Sequence, residues 1–387
     1  MPSLVILEHT SPSADASPEM EYLRSFLALQ GRRAFGAVER VAVRIEGTDE
    51  PRLPERFDAA LVVGPADLLV GQRSLQAMAA RLAAGAECVV PVPLSAAGLD
   101  GPVYTLRGYE RFEERFLAAT GPPAASSHAG SALPPVALLR PEALRRRMAS
   151  ASLAEVVAEP AACLESDRAG LCHVFVDYYG EVRSDVAPFL PEDARHVLEV
   201  GCARGRTGEW LQRERGVRVT GVELNPAVAR EAAGRLHRVV VGDVEDAGTV
   251  ERLEPPPGGF DALLALELFE HLVAPESFLE QARRLVRPGG RIVLSVPNVG
   301  HWSVAEDLLA GRWDYLPIGL LCYTHYRFFT RATLADWLGR CGFERFRLVP
   351  QTTEPPPWLG DTGALATDAE SLATKGFYVV IDVGAGE

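Results

Sequence analysis

Lysine is almost missing from this 387-residue chain: Lys375 is the single one, and arginine supplies the rest of the positive charge. Acids outnumber bases, leaving a net charge of −13. That balance excludes nucleic acid or an anionic membrane as the main partner, since either needs a concentrated basic surface. The run Arg145-Arg146-Arg147 reads as a solvated helix face. No apolar run is long enough to span a bilayer, and no signal peptide is read at the start of the chain. The six cysteines, Cys88, Cys163, Cys172, Cys202, Cys322 and Cys341, show no paired metal-ligand spacing. They read as reduced thiols of a cytoplasmic protein. What is present is ordinary for globular proteins: 47% hydrophobic and 24% charged residues, in a length suited to two domains.

The most specific local pattern is Val197-Leu-Glu-Val-Gly-Cys-Ala-Arg-Gly-Arg-Thr-Gly208. A short apolar strand runs into a glycine-rich turn, where backbone can approach a ligand closely. Ala203-x-Gly205-x-x-Gly208 is a near miss for a dinucleotide fingerprint, in which glycines bring a helix N-terminus to a pyrophosphate. Glu199-x-Gly201-x-Ala203-x-Gly205 suits a zwitterionic ligand with no phosphate, because an acid beside the turn can accept from an ammonium.

Downstream elements follow in order. Arg218–Glu223 reads as a strand ending in an acid about twenty residues on, placed for ribose hydroxyls. Asn225 with Pro226 is strong helix-start chemistry. Val239–Val244 reads as a third strand running into Gly242-Asp243-Val244. Phe260–Leu266 is a fourth, ending in Glu267-Leu-Phe-Glu270-His271. Arg287-Pro-Gly-Gly290 then turns into strand Arg291–Val296.

Together these motifs resemble class I S-adenosylmethionine (SAM)-dependent methyltransferases, over roughly residues 175 to 385. The expected fold is α/β: a Rossmann-like, seven-stranded class I methyltransferase domain at 166–387, preceded by a smaller α/β domain at 1–165. The resemblance implies that Glu199, Gly201, Ala203 and Gly205 line the methionine part of SAM. It places Glu223 at the ribose, Asp243 and Val244 at the adenine, and Leu224 and Glu267 nearby. Ala203 departs from the glycine usual in that family. Tyr179 and Arg183, just before the first strand, could hold the SAM carboxylate, or the tyrosine could merely pack a seam.

The stretch from Pro297 to Thr330 is long for a strand-to-helix connection, which marks it as a candidate substrate lid. It carries His301, Trp302, His325 and Arg327 as candidate substrate contacts. Methyl transfer to a hydroxyl or a protonated amine needs a base, and histidine suits the task near neutral pH. The candidates are His271, His325 and His301, the first two favoured. No metal is expected, although the histidine spacing is also compatible with one.

The expected activity is therefore SAM-dependent methylation of an oxygen or nitrogen on a small molecule: a sugar, a polysaccharide precursor or a secondary metabolite. This pattern resembles bacterial methyltransferase domains found beside glycosyltransferases. Pro297-Asn-Val-Gly-His-Trp302 is also similar to MetW-like proteins, and the alternative expectation is a non-catalytic SAM-binding subunit of an acyltransferase partner. A nicotinamide dehydrogenase would need a hydride-transfer site that the sequence does not display. A homo-oligomer is compatible with the sequence.

In the first half, Ser3–Leu7, Phe57–Val63 and Cys88–Val92 read as buried strands, with a helix over 74–84. Leu61-Val-Val-Gly-Pro-Ala-Asp67 is faintly similar to GT-A-type glycosyltransferases, but Asp-x-Asp is missing. This half reads as a degenerate or accessory domain. The Pro/Ala/Ser-rich stretch at 121–135 reads as a flexible loop or linker.

Overall fold

The computed structural model describes residues 3–10, 18–44, 53–63, 68–93, 105–118, 136–149, 164–173, 181–316, 319–354 and 369–384. Tyr179 and the 121–135 stretch lie outside them. The chain forms two compact units: Met1–Val176 with Tyr315–Gly319, and Asp177–Asp314 with Leu320–Glu387.

The first unit holds strands β1 (Ser3–Thr10), β2 (Ala37–Arg44), β3 (Ala59–Val63), β4 (Leu68–Leu69), β5 (Cys88–Pro93), β6 (Val136–Leu139) and β7 (Leu164–His173). They form one sheet in the order β2-β1-β3-β6-β5-β7-β4. β1 is parallel to β2 and β3, and β6 runs antiparallel to both β3 and β5. Leu4, Ile6, Leu61 and Leu138 join one apolar cluster, while Val5, Leu7, Ala60 and Leu139 join another. Alternate residues of a strand point to opposite faces, so both faces of this sheet are covered.

Strand β7 spans the expected boundary at 165 and 166, yet it pairs with β5. Its sequence, LESDRAGLCH, has neither alternation nor an apolar run to announce a strand. The division in the structure accordingly falls after Val176. Cys88 is disulfide-bonded, which corrects the expectation that all six cysteines are reduced. Such a bond joins residues that folding brings together, and spacing in the chain does not reveal it. Cys202, Cys322 and Cys341 are free.

The second unit is built on β8 (His196–Val200), β9 (Arg218–Glu223), β10 (Arg238–Val241), β11 (Phe260–Ala265), β12 (Val286–Pro297), β13 (Phe346–Thr352) and β14 (Thr374–Asp382). Their order is β10-β9-β8-β11-β12-β14-β13. Five strands are parallel, and β14 is antiparallel to β12 and β13. Leu198, Leu263, Ile292 and Val379 belong to one buried cluster, and Val197, Leu264, Val293 and Val380 to the other.

Helices follow the chemistry read from the sequence. Asn225 accepts from the Ala227 and Val228 amides and caps Pro226–Ala232. Thr330 and Thr333 form a reciprocal capping box at the start of Arg331–Arg340. The sheet reverses its winding between β8 and β11, because the chain goes outward to β9 and β10 and then returns. In open α/β sheets that is where ligands bind, at the carboxyl ends of the strands.

Gly259, which leads into β11, shows how tightly the loops meet the sheet. Its φ is +104°, and a Cβ there would lie 2.8 Å from the Leu285 carbonyl oxygen and 2.9 Å from the Arg287 nitrogen. Backbone cannot retreat as a side chain can. Gly259→Ala is expected to lower stability by about 2 kcal/mol or more, combining strain with overpacking. Chemical denaturation checks this, and an unchanged midpoint would contradict it.

Candidate functional site

The turn after β8 is left-handed at three alternate positions: Gly201 (φ 70°), Ala203 (φ 49°) and Gly205 (φ 74°). The Gly201 and Cys202 amides both donate to the Val222 carbonyl, and Gly205 donates to Cys202. The Glu223 carboxylate continues this stitching by accepting from the Ala203 amide at 2.9 Å and the Asn225 amide at 2.8 Å. Burial raises its pKa, and the amide bonds oppose the rise. Leu224, the next residue, is 66% exposed beside it. A large apolar side chain held open next to a bound carboxylate is a surface for a flat ring.

Glu199 sits elsewhere than its motif position suggests. It is buried and takes a hydrogen bond from the Gly208 amide, in the helix Arg206–Arg215. A Cβ on Gly208 would come within 2.6 Å of its Oε2, so the missing side chain at Gly208 makes room for this carboxyl. Burial, with the Glu223 charge nearby, pushes its pKa up to about 8. At neutral pH it is a protonated acid under the turn.

Asp243 is exposed and accepts from the Glu245 amide, whereas Val244 is buried in the core. Across the switch point, Leu268 approaches Gly201, where a Cβ would lie 3.4 Å from its Cδ1. Glu267, at φ 50°, accepts from the Ser295 hydroxyl at 2.6 Å, and its amide donates to the same oxygen at 2.7 Å. Arg183 reaches Glu267 at 3.5 Å and Asp185 at 3.4 Å, and donates to the Tyr378 hydroxyl. Burial opposes its charge, but Glu267, Tyr378 and Asp185 outweigh that and raise its pKa.

The histidines separate. His301 is completely buried and caps the helix Trp302–Leu309. Its Nδ1 pairs with the Ser303 hydroxyl and its Nε2 with the Thr353 hydroxyl, at 2.8 and 2.9 Å. Burial and the Lys375 charge lower its pKa to about 4. Neither ring nitrogen is left for a substrate proton, so its expected role as a base or substrate contact gives way to a structural one. Trp302 packs at 5.1 Å from its ring.

His271 and His325, by contrast, meet edge to face with ring centroids 4.7 Å apart. Glu270 lies under them, its Oε1 3.8 Å from His325 Nε2. Tyr326 and Arg327 donate backbone hydrogens to the Glu270 carbonyl, which fixes the His325 loop on the turn Phe269–His271. Arg327 is exposed and holds the Val273 carbonyl at 3.1 Å. Phe269, Phe329 and Trp337 pack beneath, with centroids 5.3 to 6.1 Å apart.

Several participants escaped the sequence reading. Tyr378 lies 193 residues from the Asp185 it hydrogen-bonds, and Ser295 looks like one more residue of a buried strand. The Glu270 side chain was visible only as part of a motif. No local pattern marks the first two.

The sheet order, the left-handed turn and the acid at the end of β9 define a class I, SAM-binding α/β domain. A family model described as a methyltransferase domain matches residues 175–347. A ubiquinone biosynthesis O-methyltransferase of Dechloromonas aromatica is 32% identical over 166 residues, 42% of this chain and 69% of that protein. Its counterpart in Pseudomonas aeruginosa is 31% identical over 168 residues, again 42% and 69%. A crystal structure of a possible histamine N-methyltransferase from Thermotoga maritima is similar at 20% identity, covering 51% of this chain and 85% of that one, with a TM-score of 0.37. The chain belongs to the SAM-dependent methyltransferases. Among the described residues no helix is long and apolar enough to cross a membrane.

Two outcomes follow from this geometry. Ala203 holds a left-handed conformation that costs an L-residue roughly 1 kcal/mol, so Ala203→Gly is expected to stabilise the protein by about that amount in denaturant melts; a destabilised variant would contradict it. Glu199 contributes stability that is whole below its ordinary pKa of 4.5 and is lost as pH rises through about 8. Glu199→Gln stays neutral, so its melting temperature should fall less than the wild type's across that window. Parallel curves would show that Glu199 does not titrate there.

Proposed function

We propose that this methyltransferase acts on a hydroxyl oxygen of a small molecule, such as a sugar, a polysaccharide precursor or a secondary metabolite. The observation that carries the reading is the pairing of an open ribose-type acid, Glu223 with Leu224, with the His271–His325 pair held on the same sheet end. The O-methyltransferase names of the relatives support oxygen over nitrogen.

The residues present fit SAM. Glu223 would exchange its Ala203 and Asn225 amides for ribose hydroxyls, with Leu224 under the adenine and Asp243 at its amino group. The left-handed turn at Gly201, Ala203 and Gly205 brings backbone close to the methionine part, and Val244 supports the adenine end from the core. Glu199 acts from below, holding the turn against the helix. Arg183, with Glu267, is the charged pair nearest the amino-acid end; Arg183 suits the carboxylate and Glu267 the ammonium.

When bound, SAM supplies an electrophilic methyl group on a sulfonium. The protein's part is to align the acceptor oxygen in line with that carbon and to relieve it of its proton. The Glu270–His271–His325 cluster is assigned that second task, with Arg327 as an exposed contact for the acceptor. The protein is read as cytoplasmic.

The first unit is read as an accessory α/β domain of degenerate GT-A-like type. Its mixed seven-stranded sheet and the missing Asp-x-Asp support that assignment, and glycosyl transfer is not part of it.

Calorimetry tests the cofactor assignment. Glu223→Ala should weaken SAM binding by about tenfold, in line with loss of charge-assisted bonds to two hydroxyls; unchanged affinity would mean the ribose lies elsewhere. Methyl-labelled SAM offered with sugars, nucleotide sugars, phenols and amines should label hydroxyl compounds. Label found only on amines would overturn the oxygen assignment.

A further inference from the structure

The cluster at the end of β11 has a feature that proton transfer alone does not explain. Glu270 is 1% exposed, yet neither carboxylate oxygen has a hydrogen-bond partner beyond its own residue. His325 is 9% exposed, and its Nδ1 has no hydrogen-bond partner. Leaving a buried polar group unsatisfied costs about 1–3 kcal/mol, and more if it is charged. Two such groups side by side are rare in native interiors. One donor atom from each of Glu270, His271 and His325 can be chosen so that all three lie within 4.8 Å of one another.

We infer that Glu270, His271 and His325 together bind a divalent first-row cation, of the class of Mn2+, Co2+ or Zn2+. Two imidazoles and one carboxylate form a borderline donor set that suits these ions better than Mg2+ or Ca2+. Ligands about 2.1 Å from a common ion stand at most about 4.2 Å apart, so the three need to close by roughly half an ångström. The loop is built for such precision. Two residues after Glu270 and one before the helix cap at Thr330, backbone bonds and the Phe269–Phe329–Trp337 stack hold both arms of the site on rigid elements. Three protein ligands leave coordination positions for the acceptor, as in catalytic rather than structural sites.

The role of the cation rests on the hydroxyl reading given above; its binding does not. A hydroxyl held by the ion has a lowered pKa. Its proton passes to solvent as the oxygen forms a bond to the methyl carbon and the carbon–sulfur bond breaks, with its electron pair leaving on sulfur. No oxidant or further reactant is needed.

The full-length chain, stripped with a chelator and dialysed, is titrated with Mn2+, Co2+ and Zn2+ by calorimetry and, for Co2+, by visible absorption. The expected result is one equivalent bound, weakened about tenfold or more by His325→Ala and by Glu270→Gln, with SAM affinity unchanged. Should Glu270→Gln fail to fold, the half-buried His271→Ala takes its place. No stoichiometric binding by any of the three ions up to about 1 mM, or binding that the variants do not alter, overturns the site. Methyl transfer that persists in the stripped protein overturns the catalytic role. One bound equivalent with no transfer to any hydroxyl compound keeps the site and counts against the hydroxyl reading instead.

Discussion

The Val222 carbonyl and the Glu223 carboxylate, at the end of β9, collect the amides of Gly201, Cys202, Ala203 and Asn225. Everything at the cofactor end depends on that seam. A turn that is left-handed at three alternate residues presents its amides sideways, and without acceptors they would be buried and unpaired. β9 supplies the acceptors because it lies next to β8, and it does so only in the observed register, with Glu199 opposite Gly221 and Val200 opposite Val222. A single-residue slip would turn Glu223 to the other face.

That dependence explains why the cofactor half of the site was legible in the sequence. Its parts lie within about one βαβ unit, and each has a local cause: glycines for positive φ, an acid at a strand end, Asn225 and Pro226 at a helix start. The fold of the second unit was legible for the same reason, since buried parallel strands read as apolar runs between helix caps. Glu199 shows where such reading stops. Its position in the motif was clear, but its direction was not, because only packing shows that Gly208 opens a space for it. Strand β7 and Tyr378 mark a second limit. β7 is a polar segment made into a strand by its neighbour, and Tyr378 reaches Arg183 through an antiparallel strand at the far end of the chain.

The three histidines show how environment divides a residue type. His301 spends both nitrogens on hydroxyls and becomes a cap. His271 and His325 share a wall with an acid, and burial with the His271 charge pushes the His325 pKa down to about 3. An imidazole held neutral in this way is a weak proton acceptor but a ready electron-pair donor. The sequence made the three look equivalent; the helix start at Trp302 and the loop bound to the Glu270 carbonyl separate them.

The single lysine has a practical reach beyond composition. Lys375 is exposed on β14, its carbonyl accepts the Asn298 amide, and its charge is felt at His301. Apart from the amino terminus, it is the only primary amine in the chain. An amine-directed fluorophore would therefore sit at one known point, where β12 hands over to the long connection, and would report on that junction without any cysteine being engineered.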